Sequence, residues 1–140
     1  MARTTLTAIS WPLSGGSPQY FPTVPITTGS ASLAFTAMDA TNNNFVAITN
    51  AKTMVMVLNA DQTATHTMTI HSFPDSFNRL ADITSYSVAP SIPGGATGVG
   101  VTIASFGPFT STGWQQTSTP VGLWLDASST LLQVCVVNNP

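Results

Sequence analysis

The chain carries very little charge. Its 140 residues include five Asp, no Glu, two Arg and a single Lys, so charged side chains make up 6%, against about a quarter in an ordinary soluble domain. There is no basic cluster that could neutralise a row of phosphates, which argues against nucleic acid as a partner. Hydrophobic residues make up 43%, and a surface so poor in charge is expected to be covered by other protein. The composition predicts a subunit of an assembly.

Cysteine and long apolar runs are also scarce. Cys135 has no second cysteine to pair with, which excludes an intrachain disulfide, and its apolar neighbours predict a buried, inert thiol. No run approaches the roughly 20 apolar residues that span a bilayer, and the start lacks the apolar stretch of a signal peptide. We therefore expect an unprocessed protein that is made in the cytoplasm and has no membrane segment.

Residues 1–31 are predicted to form an extended arm. Prolines and glycines from Pro12 to Gly29 remove backbone donors and disfavour helix, so residues 1–30 are expected to stay out of any regular ladder. The arm also carries apolar and aromatic side chains that would be unfavourable in water, and we expect it to be ordered only against a neighbouring subunit or another protein surface. The predicted contact residues are Trp11, Leu13, Tyr20 and Phe21.

Residues 32–140 read as one β-domain. Eight segments alternate with a period of two between turn residues, and no segment keeps a helical period. The predicted strands are 33–38, 45–49, 53–59, 65–72, 82–88, 97–106, 121–126 and 130–137, of which 53–59 is expected to be central because it is apolar on both faces. The last two are predicted to pair as a closing hairpin. The fold class is therefore all-β, an antiparallel β-sandwich of jelly-roll type.

The polar residues that could support chemistry do not form a recognisable site. His66 and His71 are five residues apart, which places them on opposite faces of a strand and disfavours a shared metal. Asp61, Asp75 and Asp82 lie in or beside loops, where turn formation and capping are the ordinary roles of an Asp. We expect no cofactor, no metal and no enzymatic activity.

Trp114 is a candidate binding residue, because it lies on a predicted loop, 107–120, beside Gln115 and Gln116. An aromatic residue next to amides could stack on a sugar. Aromatic residues are also enriched at subunit contacts. The contact is the favoured interpretation, and a carbohydrate-binding adhesin or tail-associated module is the alternative.

The order of several segments resembles small structural proteins of tailed bacteriophages. The resemblance covers about residues 33–137. It rests on the run from Phe45 to Asp61, the Thr-rich strand 65–70, the stretches 87–90 and 94–97, the Gly-Pro-Phe corner at 107–109, and residues 122–137.

This resemblance implies an auxiliary capsid protein, also called a decoration or cement protein. Such a protein lies on the outer face of an icosahedral shell, often as a homotrimer, and its partner is the major capsid protein. The resemblance does not extend to the arm. The expected function is stabilisation of the shell through protein contacts alone.

Overall fold

A computed structural model describes residues 2–10, 35–74, 81–91 and 102–139. Within these ranges nearly every element of regular secondary structure is a strand, which confirms the predicted all-β class. The strands are β1 (Thr4–Leu6), β2 (Ala8–Ser10), β3 (Thr36–Ala37), β4 (Asn44–Val46), β5 (Thr53–Asn59), β6 (His66–His71), β7 (Ile83–Val88), β8 (Ile103–Phe109), β9 (Leu123–Ala127) and β10 (Leu132–Asn138). A four-residue helix, α1 (Ser111–Trp114), lies between β8 and β9.

The strands form two sheets. We call the sheet with strand order β1-β4-β9-β6-β7 the first sheet, and the sheet with order β2-β10-β5-β8, in which β3 also pairs with β10, the second sheet. Both sheets are mixed, because β1 runs parallel to β4 and β2 runs parallel to β10. The prediction of an antiparallel sandwich is therefore wrong for these two pairs. The jelly-roll topology stays a prediction.

The expectation that residues 1–30 make no regular ladder is wrong for residues 4–6 and 8–10. Thr4–Leu6 pairs with β4, and Ala8–Ser10 pairs with β10. The physical reason is that Pro and Gly begin only at Pro12, so this stretch keeps every ladder donor. The rest of the predicted arm, with Trp11, Leu13, Tyr20 and Phe21, lies outside the described residues.

The core lies between the two sheets. Alternate residues of both sheets point inward, and many of them are completely buried. The first sheet contributes Leu6, Val46, Met68, Ile70, Val88, Leu123, Leu125 and Ala127, and the second contributes Val55, Val57, Phe109, Leu132, Val134 and Val136. As predicted, β5 is an interior strand, since it pairs with β10 on one side and β8 on the other.

The predicted closing hairpin is wrong. β9 pairs with β4 and β6 in the first sheet, whereas β10 pairs with β2, β3 and β5 in the second. The four residues between them carry the chain from one sheet to the other. Two alternating strands can bury their apolar residues either as neighbours in one sheet or as strands that face each other across the core. Here they face each other, and Leu125 and Val134 are both buried in the shared core.

Asp61 confirms the predicted role of Asp in turns, and Asp39 has the same role in an earlier loop. Asp39 Oδ1 accepts hydrogen bonds from the backbone N–H groups of Thr41 and Asn42, both at 2.9 Å. Asp61 Oδ1 accepts one from Thr63 N–H at 2.8 Å. These bonds lower the pKa of both carboxyls, the largest effects being the backbone N–H of Asn42 for Asp39 and that of Thr63 for Asp61.

Candidate functional site

Trp114 lies at one end of the sandwich and is partly buried against the core. Its ring meets the ring of Phe109 edge to face, with centroids 5.0 Å apart. Gly113, with φ of 96°, makes the sharp turn that brings the indole back onto the core. The predicted loop is therefore shorter than expected, because β8 continues to Phe109 and α1 follows directly after Thr110.

Beside Trp114 lies an open depression of about 390 Å³. Its wall joins the end of β6 to α1 through a hydrogen bond from the backbone N–H of Phe73 to the carbonyl of Gly113, at 2.8 Å. The lining residues are Phe73, Pro74, Ser111, Thr112, Gly113, Gln115 and Thr117, and none of these is charged. Phe73 is 41% exposed. This surface suits an uncharged, partly apolar side chain of another protein.

The same end of the sandwich is held together by amide hydrogen bonds. Gln116 Nε2 donates to the carbonyl of Ser72 at 2.7 Å, and its backbone pairs with Gly122. The residue before that glycine, Val121, is 50% exposed. Gln116 therefore joins two segments that each expose an apolar side chain, Phe73 after Ser72 and Val121 before Gly122. Sequence analysis missed both Phe73 and Val121, because a single apolar residue in a loop carries no signal of its exposure.

A second cluster joins Arg3, His71, Asp82 and Asp126. Arg3 Nη1 donates to Asp126 Oδ1 at 2.6 Å, and the guanidinium lies 4.3 Å from the centre of the Trp124 ring. His71 places Nδ1 at 2.9 Å from Asp82 Oδ2 and Nε2 at 2.6 Å from Asp126 Oδ2. Both of these bonds form together when the imidazole carries hydrogen on both nitrogens.

The carboxylates of this cluster are held in their ionised form. For Asp126, burial has the largest single effect and raises the pKa, but the hydrogen bonds and charges of Arg3 and His71 outweigh it and lower the pKa overall. The pKa of Asp82 is lowered in the same way, with hydrogen bonds from Ser72 and His71 opposing burial. Each ring nitrogen of His71 faces a carboxylate, and Asp126 also binds Arg3, so the cluster joins the residue before β1 to the end of β6.

The other residues that the sequence analysis singled out have structural surroundings. His66 Nε2 lies 2.9 Å from Asp61 Oδ2, on the opposite face of β6 from His71. Cys135 is buried, and burial raises the pKa of its thiol to about 11. In the described part of the chain, no three His, Cys, Asp or Glu side chains are grouped so that they could hold a metal ion. Asp75 lies outside the described residues.

The described ranges contain no helix with the length and apolar character needed to cross a membrane. No family model, curated protein or solved structure matches this chain.

Proposed function

We propose that this chain is a structural virion protein that decorates and stabilises the outer surface of a phage capsid. Its partners are the major capsid protein and further copies of itself, as a homotrimer. It acts through protein contacts and without catalysis. A protein that binds the assembled shell but not its free subunits stabilises the shell by mass action, and many such contacts on one lattice act together.

The observation that carries this proposal is that the few charged side chains are nearly all hydrogen-bonded within the chain. The sequence has eight charged side chains, of which Asp75 and Arg79 lie outside the described residues, leaving six. Five of the six form hydrogen bonds inside the chain: Arg3, Asp39, Asp61, Asp82 and Asp126. Among the described residues, Lys52 is thus the one exposed charge without such a bond. A partner can cover such a surface without removing free charges from water, which is otherwise costly.

We place the docking contact at the end of the sandwich that carries Trp114 and the depression beside Phe73. It has no charged lining residue, and it offers an exposed aromatic side chain next to polar Gln and Thr. This is the composition of an interface core with a polar rim. The Trp114 ring packs on Phe109 and does not line the depression, which favours a protein contact over a sugar platform.

Copy number in purified particles tests this proposal. Quantitative mass spectrometry of the virions should find the protein in numbers comparable with the major capsid protein, because a decoration protein occupies a repeating lattice. A few copies per particle would indicate a tail component instead, and absence from the particle would contradict the proposal.

A matched pair of variants tests the docking end. Phe73 and Leu131 are both exposed, at 41% and 45%, but they lie near opposite ends of β9, since Gln116 links Ser72 to Gly122 and Leu131 follows Ala127. Phe73→Ser should weaken particle binding at least about tenfold, the effect of losing one interface anchor. Leu131→Ser should leave binding unchanged. Equal losses would contradict the location, and binding to a glycan array but not to particles would favour the carbohydrate-binding alternative.

A further inference from the structure

The cluster of Arg3, His71, Asp82 and Asp126 crosses the first sheet, whose strand order is β1-β4-β9-β6-β7. Arg3 precedes β1, Asp126 lies in the central strand β9, His71 ends β6, and Asp82 precedes β7. Neighbours in this series are hydrogen-bonded to each other. We call these four residues the His71 cluster. It connects both outer strands of the described sheet through the imidazole of His71.

Both ring nitrogens of His71 face a carboxylate oxygen. Nε2 lies 2.6 Å from Asp126 Oδ2, and Nδ1 lies 2.9 Å from Asp82 Oδ2. An ionised carboxylate can only accept hydrogen bonds, so each ring nitrogen must carry a hydrogen for its contact to be a hydrogen bond. A neutral imidazole carries hydrogen on one nitrogen and a lone pair on the other. The two contacts are therefore both hydrogen bonds in the imidazolium form alone.

The charges of the cluster balance in the same form. The pKa of Asp82 and the pKa of Asp126 are each lowered overall, although burial, the largest single effect, raises them, so both carboxylates are ionised at neutral pH. Arg3 contributes one positive charge against these two negative charges. A neutral His71 leaves one negative charge uncompensated in a partly buried site, whereas an imidazolium compensates it.

No further charged side chain of the described ranges contacts this imidazole. Arg3 reaches it through Asp126. The other histidine of β6, His66, lies on the opposite face of the strand and contacts Asp61. The residues 75–80, which hold Asp75 and Arg79, lie outside the described part of the chain, so the experiments below include a substitution in that segment.

We propose that His71 is a proton-dependent latch between the central strand β9 and the start of β7. As an imidazolium it donates to Asp126 and Asp82 together, and loss of one ring proton to water breaks one of the two hydrogen bonds. Histidine is the side chain that ordinarily changes its charge between about pH 5 and 8. The latch is therefore closed in mild acid and open in mild alkali. This inference does not depend on the virion function.

The geometry also indicates which bond opens. The contact to Asp82 is the longer one, and the Asp82 side chain is 37% exposed against 32% for Asp126. Asp82 also keeps two other hydrogen bonds, because Oδ1 accepts from the backbone N–H of Ser72 at 2.8 Å and from its hydroxyl at 3.0 Å. Water can replace the Nδ1–H donor at such a carboxylate. The proton that leaves is therefore the one on Nδ1.

Urea denaturation of the parent chain and of His71→Gln tests the latch. Gln is neutral at every pH and cannot bridge the two carboxylates, while His66 is common to both chains and its effect cancels. The unfolding equilibrium constant of the variant, divided by that of the parent, should be at least about threefold larger at about pH 5.5 than at about pH 8.5, because the bonds of the imidazolium are charge-assisted. An equal ratio, or a larger one in alkali, would overturn the proposal.

Two further substitutions locate the effect. Asp82→Asn offers an amide donor to the lone pair on Nδ1, so in this background the pH dependence that His71 confers should fall by at least about half. Arg79→Gln is the matched control, three residues earlier in the chain, and should leave the pH dependence unchanged. The proposal fails if Asp82→Asn has no effect, or if Arg79→Gln abolishes the pH dependence.

An experiment on the intact chain covers the case in which these variants do not fold. Long-range proton–nitrogen correlation spectra distinguish an imidazolium from either neutral tautomer, and His66→Gln assigns the two sets of histidine signals. His71 should carry hydrogen on both ring nitrogens at about pH 5.5 and on Nε2 alone at about pH 8.5. A neutral ring in acid, hydrogen on both nitrogens in alkali, or hydrogen on Nδ1 alone would each overturn the proposal.

Discussion

At the scale of single residues, the cluster on the first sheet shows how the few charges are used. Asp126 accepts bonds from Arg3 and His71, so a single carboxylate joins the residue before β1 to the end of β6. Its hydrogen bonds are charge-assisted and partly buried, which makes them stronger than exposed ion pairs. The cluster therefore serves the fold and is not available as a binding charge.

Asp126→Asn should lower the free energy of unfolding by about 1 to 2 kcal/mol at neutral pH, because Arg3 and His71 lose an ionised hydrogen-bond partner. Urea denaturation measures this. Lys52→Gln is the matched control, since this exposed side chain makes no such bond, and it should change stability by less than about 0.5 kcal/mol. Equal effects of the two substitutions would contradict the structural role of Asp126.

The same variant has a defined pH dependence. The pKa of Asp126 is lowered in the folded protein, so its contribution to stability is present above the unfolded-state value of about 4 and is lost as the pH falls through the lower folded-state value. The difference between the parent and Asp126→Asn should therefore be full at about pH 7 and shrink towards about pH 2. A difference that grows in acid would contradict this account.

Gly122 is a second residue whose identity is dictated by its surroundings. Its φ of 153° and its position against the carbonyl of Val46 leave no space for a Cβ atom. Gly122→Ala should destabilise the fold by about 3 kcal/mol or more, through backbone strain and displacement of β4. Ser118→Ala, at an exposed position of the same loop, should have an effect below about 0.5 kcal/mol. Thermal denaturation of both variants compares them.

At the scale of elements, residues 4–10 differ from the sequence-based prediction, because they form strands and not an extended arm. β1 and β2 form short parallel pairs on the two sheets, and Leu6 is buried in the shared core with an exposure of 7%. The N-terminal stretch therefore passes from one sheet to the other. Deletion of the entire predicted arm would remove these strands together with Arg3.

Leu6→Ala should cost about 2 to 4 kcal/mol, as expected for a large core side chain. The neighbouring Thr5 is exposed in the same strand, and Thr5→Ala should cost less than about 0.5 kcal/mol. Denaturant melts of the two variants test whether β1 is part of the fold. Equal, negligible effects would indicate that the N-terminal residues are a dispensable leader.

Sequence patterns located elements better than they located pairings. β5 has the predicted bounds, 53–59, because its alternation is long and both faces are apolar. The relation of β9 to β10 was not predictable, since a short connection between two alternating strands fits either neighbours in one sheet or strands facing each other across a core. The parallel pairing of β1 depends on β4, about 40 residues away, and leaves no local signal.

The candidate site shows the same limit. Trp114 could be selected from sequence because a lone Trp in a polar loop is conspicuous, whereas its packing on Phe109 depends on the turn at Gly113. The cluster around His71 could not be found, since Arg3 and Asp126 are 123 positions apart. The strand pairing of β6 with β9 brings these groups together.

At the scale of the whole molecule, low surface charge determines how binding should respond to salt. If the docking surface is uncharged, Debye screening has little to act on, and particle binding should change less than about threefold between about 0.05 and 1 M NaCl. Sedimentation of particles with the protein at each concentration measures this. A loss of most bound protein at high salt would contradict an uncharged docking surface and would mean that charged side chains, whether Lys52 or the undescribed Asp75 and Arg79, dominate the contact.

The molecule should also associate with itself. The proposed homotrimer, together with exposed Phe73, Tyr86 and Val121, predicts an oligomer at micromolar concentration. Multi-angle light scattering on a sizing column gives the mass directly, and three times the chain mass of 14.6 kDa is the expected result. A stable monomer would remove the support for self-association while leaving direct capsid binding open to test.

The most direct test of the virion role is a cryo-EM reconstruction of the particle at a resolution that separates strands. The account predicts two-sheet densities repeated on the outer surface of the shell, with the end that carries Phe73 and Trp114 against a capsid or sister subunit. A shell without such density, or density confined to the tail, would contradict the proposed decoration of the capsid.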